Sequence, residues 1–539
     1  MSRTPPPAAP LAAPEGRAPE LTYHADGTPV RTLAEMIRIR AAATPDATAI
    51  IEADRTTTFR EQDERSSQVA NALLRDGVAV GDRVAFIGAN SPEFLQVLFG
   101  ASKVGAIATA VNTRLAVPEV QHILADADPT VVVLGSDEDH LLPATEGLPG
   151  LVRVVRMGAD DDASWEAWLD DTPTVDPGRV ADPDDTCVIF YTSGTTGLPK
   201  GIELTGDNLG RALATMHLEM ELDGDGVASA PVPFFHIAGF GLAIVVLVNG
   251  AALLLDQPTS PTHLLELLQR HRVTHAVMVP TLLQTIVNMP EAKEVDWSHL
   301  RFVIYGAMPI PLPVLQRSSE LIGCRFIQSY GLTESTGGVT VLRPEDHLPD
   351  PAREQRQRSA GQVMVGARVK VVDPITLEEL PPGERGEVII GPERIMKGYW
   401  RKPEETARVM LPGGWLRTGD GGSFDEDGYL YLHDRLKDMI VSGGENIYPA
   451  EVESVMTAHP DIAEVAVIGV PSEKWGESPW AVVVPRPDTA LVPEALIGWT
   501  RERLAHFKCP VGVSIVDALP RNATGKLLKH VLRDEHTGD

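Results

Sequence analysis

Short apolar runs alternate with longer helical patterns along most of this 539-residue chain, and that alternation restricts its fold more than any other feature. Val84-Ala-Phe-Ile87 reads as a buried strand. Ser91-Pro92-Glu93 follows as a helix start, with a capping residue, a proline at the first helical position and an early carboxylate. The helix is expected to run to about Val104, with Phe94, Val97, Leu98 and Ala101 on one face. Residues 106–111 and 131–134 read as further strands with a helix over 119–125 between them. The pattern returns as a strand over 273–279, a helix from Thr281, a strand over 302–305, a helix from Pro311 and a strand over 325–328. Such alternation predicts an α/β fold whose sheets are mostly parallel and covered by helices on both faces.

From about Gly361 the texture changes. Strands over 369–372 and 387–390 flank a Pro381-Pro382-Gly383 turn, and a compact β-rich subdomain is expected to close near Asp434. Beyond it, a helix at 449–458, strands at 463–470 and 480–485 and a helix at 493–505 suffice for a small α+β domain. The expected division is a leader over 1–25, a large N-terminal domain over 26–434 and a small mobile C-terminal domain over 435–539. No repeat at solenoid spacing is visible.

Charge narrows the function classes. With 47 basic and 75 acidic residues the net charge is −28, which repels phosphate backbones and disfavours a general nucleic-acid-binding role. Cys187, Cys324 and Cys509 are odd in number and far apart, so neither a disulfide framework nor a clustered zinc site is expected, and a reducing cytoplasm fits. The proline-rich N-terminus lacks a signal-peptide apolar stretch and reads as a disordered leader. The longest apolar run, Ile237–Val248, is well short of the ~20 residues that span a bilayer.

The most informative segment is Tyr191-Thr-Ser-Gly-Thr-Thr-Gly-Leu-Pro-Lys-Gly201, directly after an apolar strand over 187–190. Gly194, Gly197 and Gly201 free the backbone to turn tightly. Thr192, Ser193, Thr195 and Thr196 supply hydroxyl donors, and Lys200 adds a cation. That combination suits gripping polyphosphate oxygens. It is not a Walker A loop, because Lys200 stands behind Pro199 rather than in a Gly-Lys-Ser/Thr triplet.

This loop resembles the signature of the adenylate-forming superfamily of acyl-CoA synthetases, peptide-synthetase adenylation domains and beetle luciferases. Further segments match in order: Pro233-Phe-Phe-His236, Tyr305-Gly-Ala-Met-Pro309, Gln328-Ser-Tyr-Gly-Leu-Thr-Glu334, Trp415-Leu-Arg-Thr-Gly-Asp420, Asp434-Arg-Leu-Lys437, Gly443-Gly-Glu-Asn-Ile-Tyr-Pro449 and Pro520-Arg-Asn-Ala-Thr-Gly-Lys526. The resemblance implies ATP, Mg2+ and CoA as the reacting set, with an acyl-adenylate between two half-reactions. It implies that Thr192, Ser193, Gly194, Thr195, Thr196, Gly197 and Lys200 hold phosphates, and that Gly306, Ala307, Tyr330 and Gly331 surround the adenine. Glu334 is implied as the Mg2+ carboxylate, Thr333 as a donor to the α-phosphate, Asp420 as the ribose ligand and Arg435 as a ribose or phosphate contact. Lys526 would bridge carboxylate and α-phosphate as the catalytic cation. Lys437 would be the hinge on which the C-terminal domain turns, bringing Gly443 and Gly444 to the pantetheine arm of CoA.

By the same resemblance the acyl pocket is lined by Phe235, His236, Gly239, Tyr305, Met308, Ser329, Gly337 and Gly338, with His236, also a candidate catalytic residue, at its carboxylate end or helping to shut the tunnel. No aspartate stands at 234–240 to hold a substrate amine, so a free amino acid fits poorly. No Arg or Lys occurs among the expected lining residues, so a second substrate carboxylate would lack a partner. Elimination leaves medium- to long-chain fatty acids or bulky cyclic acids. Leu204-Thr205 is followed by Gly206-Asp207 where family members often carry histidine, and Ala307-Met308 replaces a frequent Gly-Ala pair.

The reading is a cytoplasmic AMP-forming carboxylate–CoA ligase, with a homodimer left open. A ligase loading the phosphopantetheine of a carrier protein is one alternative. A non-catalytic acyl-nucleotide-binding regulator is another, disfavoured by retention of Lys526, Glu334 and Asp420. Nothing specifies luciferase-like oxygen chemistry.

Overall fold

The computed structural model describes residues 30–537 except 54, 194–198, 230, 307–309, 349–352, 436–437, 439, 443–444, 448, 473, 488 and 522–526. The expected leader lies outside the described residues. The chain divides into two compact units, one of residues 1–369 with 390–416 and the other of 370–389 with 417–539. The seam therefore passes through the strands Val369–Val372, Gly386–Ile390 and Trp415–Phe424, ahead of the boundary expected at Asp434.

Two sheets build the first unit. In one, Ile107–Val111, Arg83–Ile87, Val131–Leu134, Arg153–Arg156 and Thr186–Ser193 run parallel, and Pro199–Thr205 folds back antiparallel on the last of these. In the other, Ala252–Leu254, Val227–Ser229, His275–Val277, Phe302–Gly306 and Arg325–Leu332 run parallel, and Gly337–Leu342 closes an antiparallel hairpin on Arg325–Leu332. Mostly parallel sheets covered by helices are thus what the alternation produces, the antiparallel strands lying towards the edges.

Local signals act as read. Ser91 Oγ accepts from Phe94 N at 3.2 Å, Pro92 opens the helix Pro92–Val104, and Gly105 ends it at φ 78°. Burial is broader than the single face expected, because every residue of Pro92–Val104 except Glu93 is buried. Lys103 is tolerated there because its ammonium donates to Asp63 Oδ1 at 2.6 Å and to Ser67 Oγ at 2.8 Å. The strand expected over 273–279 shortens to His275–Val277, whereas the one expected over 325–328 extends to Leu332. That extension carries Tyr330 and Gly331 on a strand rather than a loop.

The Gly206-Asp207 departure has a packing cause. Thr205 caps the helix Gly206–Met220, and a Cβ at Gly206 would stand 2.5 Å from the Arg31 carbonyl. Asp207 Oδ1 accepts from Arg31 Nε at 2.7 Å. The chain crossing this helix at Arg31 leaves no volume for histidine at 206.

In the second unit, Ile462–Ser472 and Gly476–Pro485 form a long antiparallel pair, and Ile440–Ser442 and Gly512–Ile515 both pair with the free edge of Gly476–Pro485. The helices Pro449–Thr457 and Pro493–Arg501 bury Val452, Met456 and Leu496 in a core with Ile440, Ile447, Val467, Ala481 and Val483. Among the described residues no helix is long and apolar enough to cross a membrane.

Candidate active site

The motif residues of the first unit gather at the carboxyl ends of parallel strands, where open α/β sheets place ligands. Gly306 ends Phe302–Gly306, Tyr330 and Gly331 end Arg325–Leu332, and the hydroxyl-rich hairpin leaves Thr186–Ser193. A cleft lined by His271, Arg272, Thr274 and Arg301 opens at the opposite, amino-terminal ends and holds none of the motif residues.

Thr192 and Lys200 pair directly across the hairpin and so share one face at its mouth. The tip, with Gly194, Thr195, Thr196 and Gly197, lies outside the described residues, as does the Ser193 side chain. The Lys200 ammonium pairs with the Glu405 carboxylate and stands 5.4 Å from the centre of the Tyr399 ring. That cation holds the Glu405 carboxyl below its ordinary range. The Tyr399 hydroxyl donates to Glu334 Oε1 at 3.1 Å. Lys200 and Glu334, 134 positions apart in the chain, therefore meet on one phenol.

Glu334 sits on a single turn, Thr333–Ser335, between the two strands of the hairpin. Ser335 Oγ accepts from Leu332 N at 2.9 Å and donates to Gly337 O at 2.8 Å, which fixes that turn. Thr336 follows at φ 55°, a costly conformation for a β-branched residue. Its Oγ1 donates to Arg394 O at 2.7 Å, and the buried Arg394 guanidinium donates to Gly338 O. Sequence reasoning missed Tyr399, Ser335, Arg394 and Glu405. The aromatic pair Tyr399-Trp400 ahead of Pro403-Glu-Glu-Thr406 was the available signal for two of them.

The residues expected around the acyl group are set by close packing. Asn90 accepts from Phe234 N at 2.7 Å and donates to Val232 O at 2.9 Å, clamping the segment before the helix Ile237–Val248. His236 precedes that helix, its ring edge-on to Phe235 at 4.7 Å. Burial, helped by the nearby Arg114, lowers the imidazole to about 4, so it is neutral at pH 7. Its Nε2 is buried and has no hydrogen-bond partner among the described residues. Arg114 is thus a cation that the sequence reading did not place near this region.

Several positions expected at the acyl pocket or beside the adenine are spoken for. A Cβ at Gly239 would meet Val232 O at 2.4 Å, one at Gly306 would meet Ser329 O at 2.5 Å, and one at Gly331 would meet Gly337 O at 1.9 Å. These glycines let backbones touch rather than leave room for a substrate. At Gly338 the space is taken by Ser329 Oγ, 1.9 Å from the missing Cβ, whereas Gly337 at φ 93° has only Ile237 Cγ1 at 4.0 Å. Tyr305 is buried. Strand alternation turns it into the second core, 2 % exposed, where its hydroxyl lies 2.9 Å from His347 Nε2 and its ring meets Phe326. Ala307 and Met308 lie outside the described residues.

In the second unit, Asp420 is buried on Trp415–Phe424 opposite Arg435, whose side chain lies outside the described residues. The preceding turn is held by Glu387, which is 2 % exposed, accepts from Arg417 Nε at 2.8 Å and accepts from Gly419 N at 3.2 Å. Lys437, Gly443, Gly444 and Lys526 lie outside the described residues. Leu528 N donates to Pro520 O at 2.9 Å.

A glycine- and hydroxyl-rich hairpin, a lysine and a lone carboxylate at the open end of a parallel sheet define a nucleotide-dependent acid-activating enzyme. The chain belongs to the AMP-binding enzyme family, whose model matches residues 37–400, with the AMP-binding enzyme C-terminal domain matching 451–526. It is 38% identical to a feruloyl-CoA synthase of Amycolatopsis sp. over 92% of this chain and 97% of that one. It is 36% identical to the fatty acid–[acyl-carrier-protein] ligase ScoC of Streptomyces coeruleorubidus over 95% and 97% respectively. A solved Mycobacterium tuberculosis fatty acyl CoA synthetase superposes with a TM-score of 0.76 at 34% identity, covering 94% of this chain and 99% of that one.

Proposed function

We propose that this enzyme is an AMP-forming carboxylate–CoA ligase acting on an apolar monocarboxylic acid, a medium- to long-chain fatty acid or a bulky cyclic acid, in the cytoplasm. The observation that carries the reading is the meeting of Lys200 and Glu334 through Tyr399 at the carboxyl ends of the strands. A phosphate-binding cation and a metal-binding carboxylate are what adenylation must bring together.

In the first half-reaction the substrate carboxylate oxygen attacks the α-phosphorus of ATP, the bond to the β-phosphate oxygen breaks, and pyrophosphate leaves. Two anions must approach, so fixed positive charge does most of the work. Thr192, Ser193, Gly194, Thr195, Thr196, Gly197 and Lys200 hold the phosphates. Tyr330 stacks on adenine beside Gly306, Ala307 and Gly331, Asp420 takes the ribose hydroxyls, and Arg435 contacts ribose or phosphate. Thr333 donates to the α-phosphate, and Lys526 neutralises carboxylate and phosphate together. Among the described residues no group of three His, Cys, Asp or Glu side chains could hold a metal. A lone Glu334 fits Mg2+, which keeps several waters and takes substrate phosphate oxygens. When bound, that ion supplies charge neutralisation at the phosphates.

In the second half-reaction the CoA sulfur attacks the acyl carbon, and the bond to the AMP oxygen breaks. Lys526 must withdraw for the thiol to enter, which is the task of a C-terminal domain turning at Lys437. Gly443 and Gly444 then give the pantetheine arm a path along the backbone. His236, neutral and with its Nε2 unpartnered among the described residues, borders the acyl group with Phe235 and Gly337.

Pyrophosphate release from ATP with ferulate, decanoate and palmitate tests the adenylation, and product mass after adding CoA or a phosphopantetheinylated carrier protein identifies the acceptor. Release with none of these acids argues against the substrate class. The carrier-protein alternative is favoured by the likeness to ScoC, and acyl transfer only to the carrier would establish it.

A further inference from the structure

Gly398–Tyr399 is a strand of two residues, yet it sits against both charged groups on which adenylation depends. It pairs antiparallel with the returning arm of the phosphate hairpin, Tyr399 opposite Ile202 and Gly398 opposite Glu203. Around it, Lys397 N donates to Glu203 O at 2.9 Å and Trp400 N to Gly201 O at 2.8 Å. Trp400 Nε1 donates to Asp126 O at 3.0 Å, and Tyr399 N donates to Thr406 Oγ1 at 2.9 Å. The phenol is thus carried on backbone that is fastened both before and after it. Its hydroxyl reaches Glu334 and its ring reaches Lys200.

We propose that Tyr399 is a positioning residue for adenylation, its hydroxyl aiming the Glu334 carboxylate and its ring seating the Lys200 ammonium. A phenol donating to one carboxylate oxygen fixes the rotation of the group and leaves Oε2 to face a cation, which is how outer hydrogen bonds tune a metal ligand. A ring within about 6 Å of an ammonium attracts it without consuming its N–H donors, so those donors stay available to phosphate oxygens. Glu405 completes the seat by pairing with the same ammonium from the helix Pro403–Val409. The proposal rests on Lys200 as a phosphate-binding cation and Glu334 as the Mg2+ carboxylate.

Two substitutions separate the functions of the side chain. Tyr399→Phe removes the hydroxyl and keeps the ring, whereas Tyr399→Leu removes both. The readout is the dissociation constant of ATP by calorimetric titration, with and without saturating Mg2+, alongside the thermal midpoint. Tyr399→Phe should bind ATP alone like the parent and lose about tenfold of the Mg2+ enhancement. Tyr399→Leu should in addition weaken ATP alone by about threefold. A Tyr399→Phe protein with the full Mg2+ enhancement overturns the inference, whether or not its melting temperature falls. Lys200→Ala and Glu334→Gln are titrated beside them. If neither alters ATP binding or its response to Mg2+, the underlying reading of the site fails; if both do and Tyr399→Phe does not, the positioning inference alone fails.

Discussion

The phosphate side and the acyl side of this enzyme are built on different principles. On the phosphate side, charges are placed by pairing: Lys200 with Glu405, Glu334 with Tyr399. On the proposed acyl side, walls are placed by contact: Gly239 on Val232 and Ser329 in the space beside Gly338, with Gly331 on Gly337 in the adjoining hairpin. Polar partners can exchange for a ligand's phosphates without moving backbone, whereas a backbone contact that leaves no van der Waals space for a Cβ cannot accept one added carbon. The phosphate side is therefore arranged to change partners during turnover, and the acyl side to hold a shape.

The comparison can be broken by mutation. Lys526→Ala should cost on the order of 10² to 10³ in pyrophosphate release and spare thioester formation from supplied acyl-adenylate. Equal loss of both steps would contradict its assignment to the first half-reaction. Gly331→Ala sets a Cβ against the Gly337 carbonyl, at 1.9 Å, so the hairpin must shift. A stability loss of about 3 kcal/mol is expected in chemical denaturation. Gly338→Ala meets side-chain atoms, the Ser329 hydroxyl first and then Met364 Cε at 3.3 Å. It should cost about 1 kcal/mol and alter the relative rates with decanoate and ferulate more than ATP affinity. Combining it with Ser329→Gly should restore stability. If the alanines at 331 and 338 cost the same, backbone and side-chain obstacles are not the distinction claimed here.

A further effect concerns pH. Burial holds His236, His275 and His347 each to about 4, below the unfolded value of about 6.5. Below that value the unfolded chain binds the extra protons, so stability is full above pH 6.5 and is lost as pH falls towards 4. The slope is at most roughly 1.4 kcal/mol per pH unit for each histidine. Thermal midpoints measured from pH 7.5 to 5 check it, and His347→Gln should flatten the slope. The pH profile of pyrophosphate release should show no inflection from His236 between pH 5 and 8.

Much of the first unit was legible because its signals are local. Ser91, Pro92 and Gly105 mark a helix by what they do to their own turn, and the run 131–134 is a strand because four consecutive apolar residues can be buried on both faces. The surroundings of Tyr305 were not legible for the complementary reason: its neighbours in sequence look like a nucleotide motif, but one step along a strand reverses the face. The boundary of the units is likewise a matter of which strands share contacts, and Lys370–Ile389 joins the later residues although it precedes the helix Pro403–Val409 in sequence.

The amino-acid order alone determined the alternating elements, their caps and the kinds of side chain available for phosphate, magnesium and acyl chemistry, since propensity, capping and charge act over a few residues. Only the tertiary structure decided that Tyr399 stands between Lys200 and Glu334, that Arg31 crosses Gly206, and that Gly239, Gly306 and Gly331 stand where backbones touch. Those meetings depend on strand order and register, which bring together residues separated by tens to hundreds of positions and which no local pattern encodes.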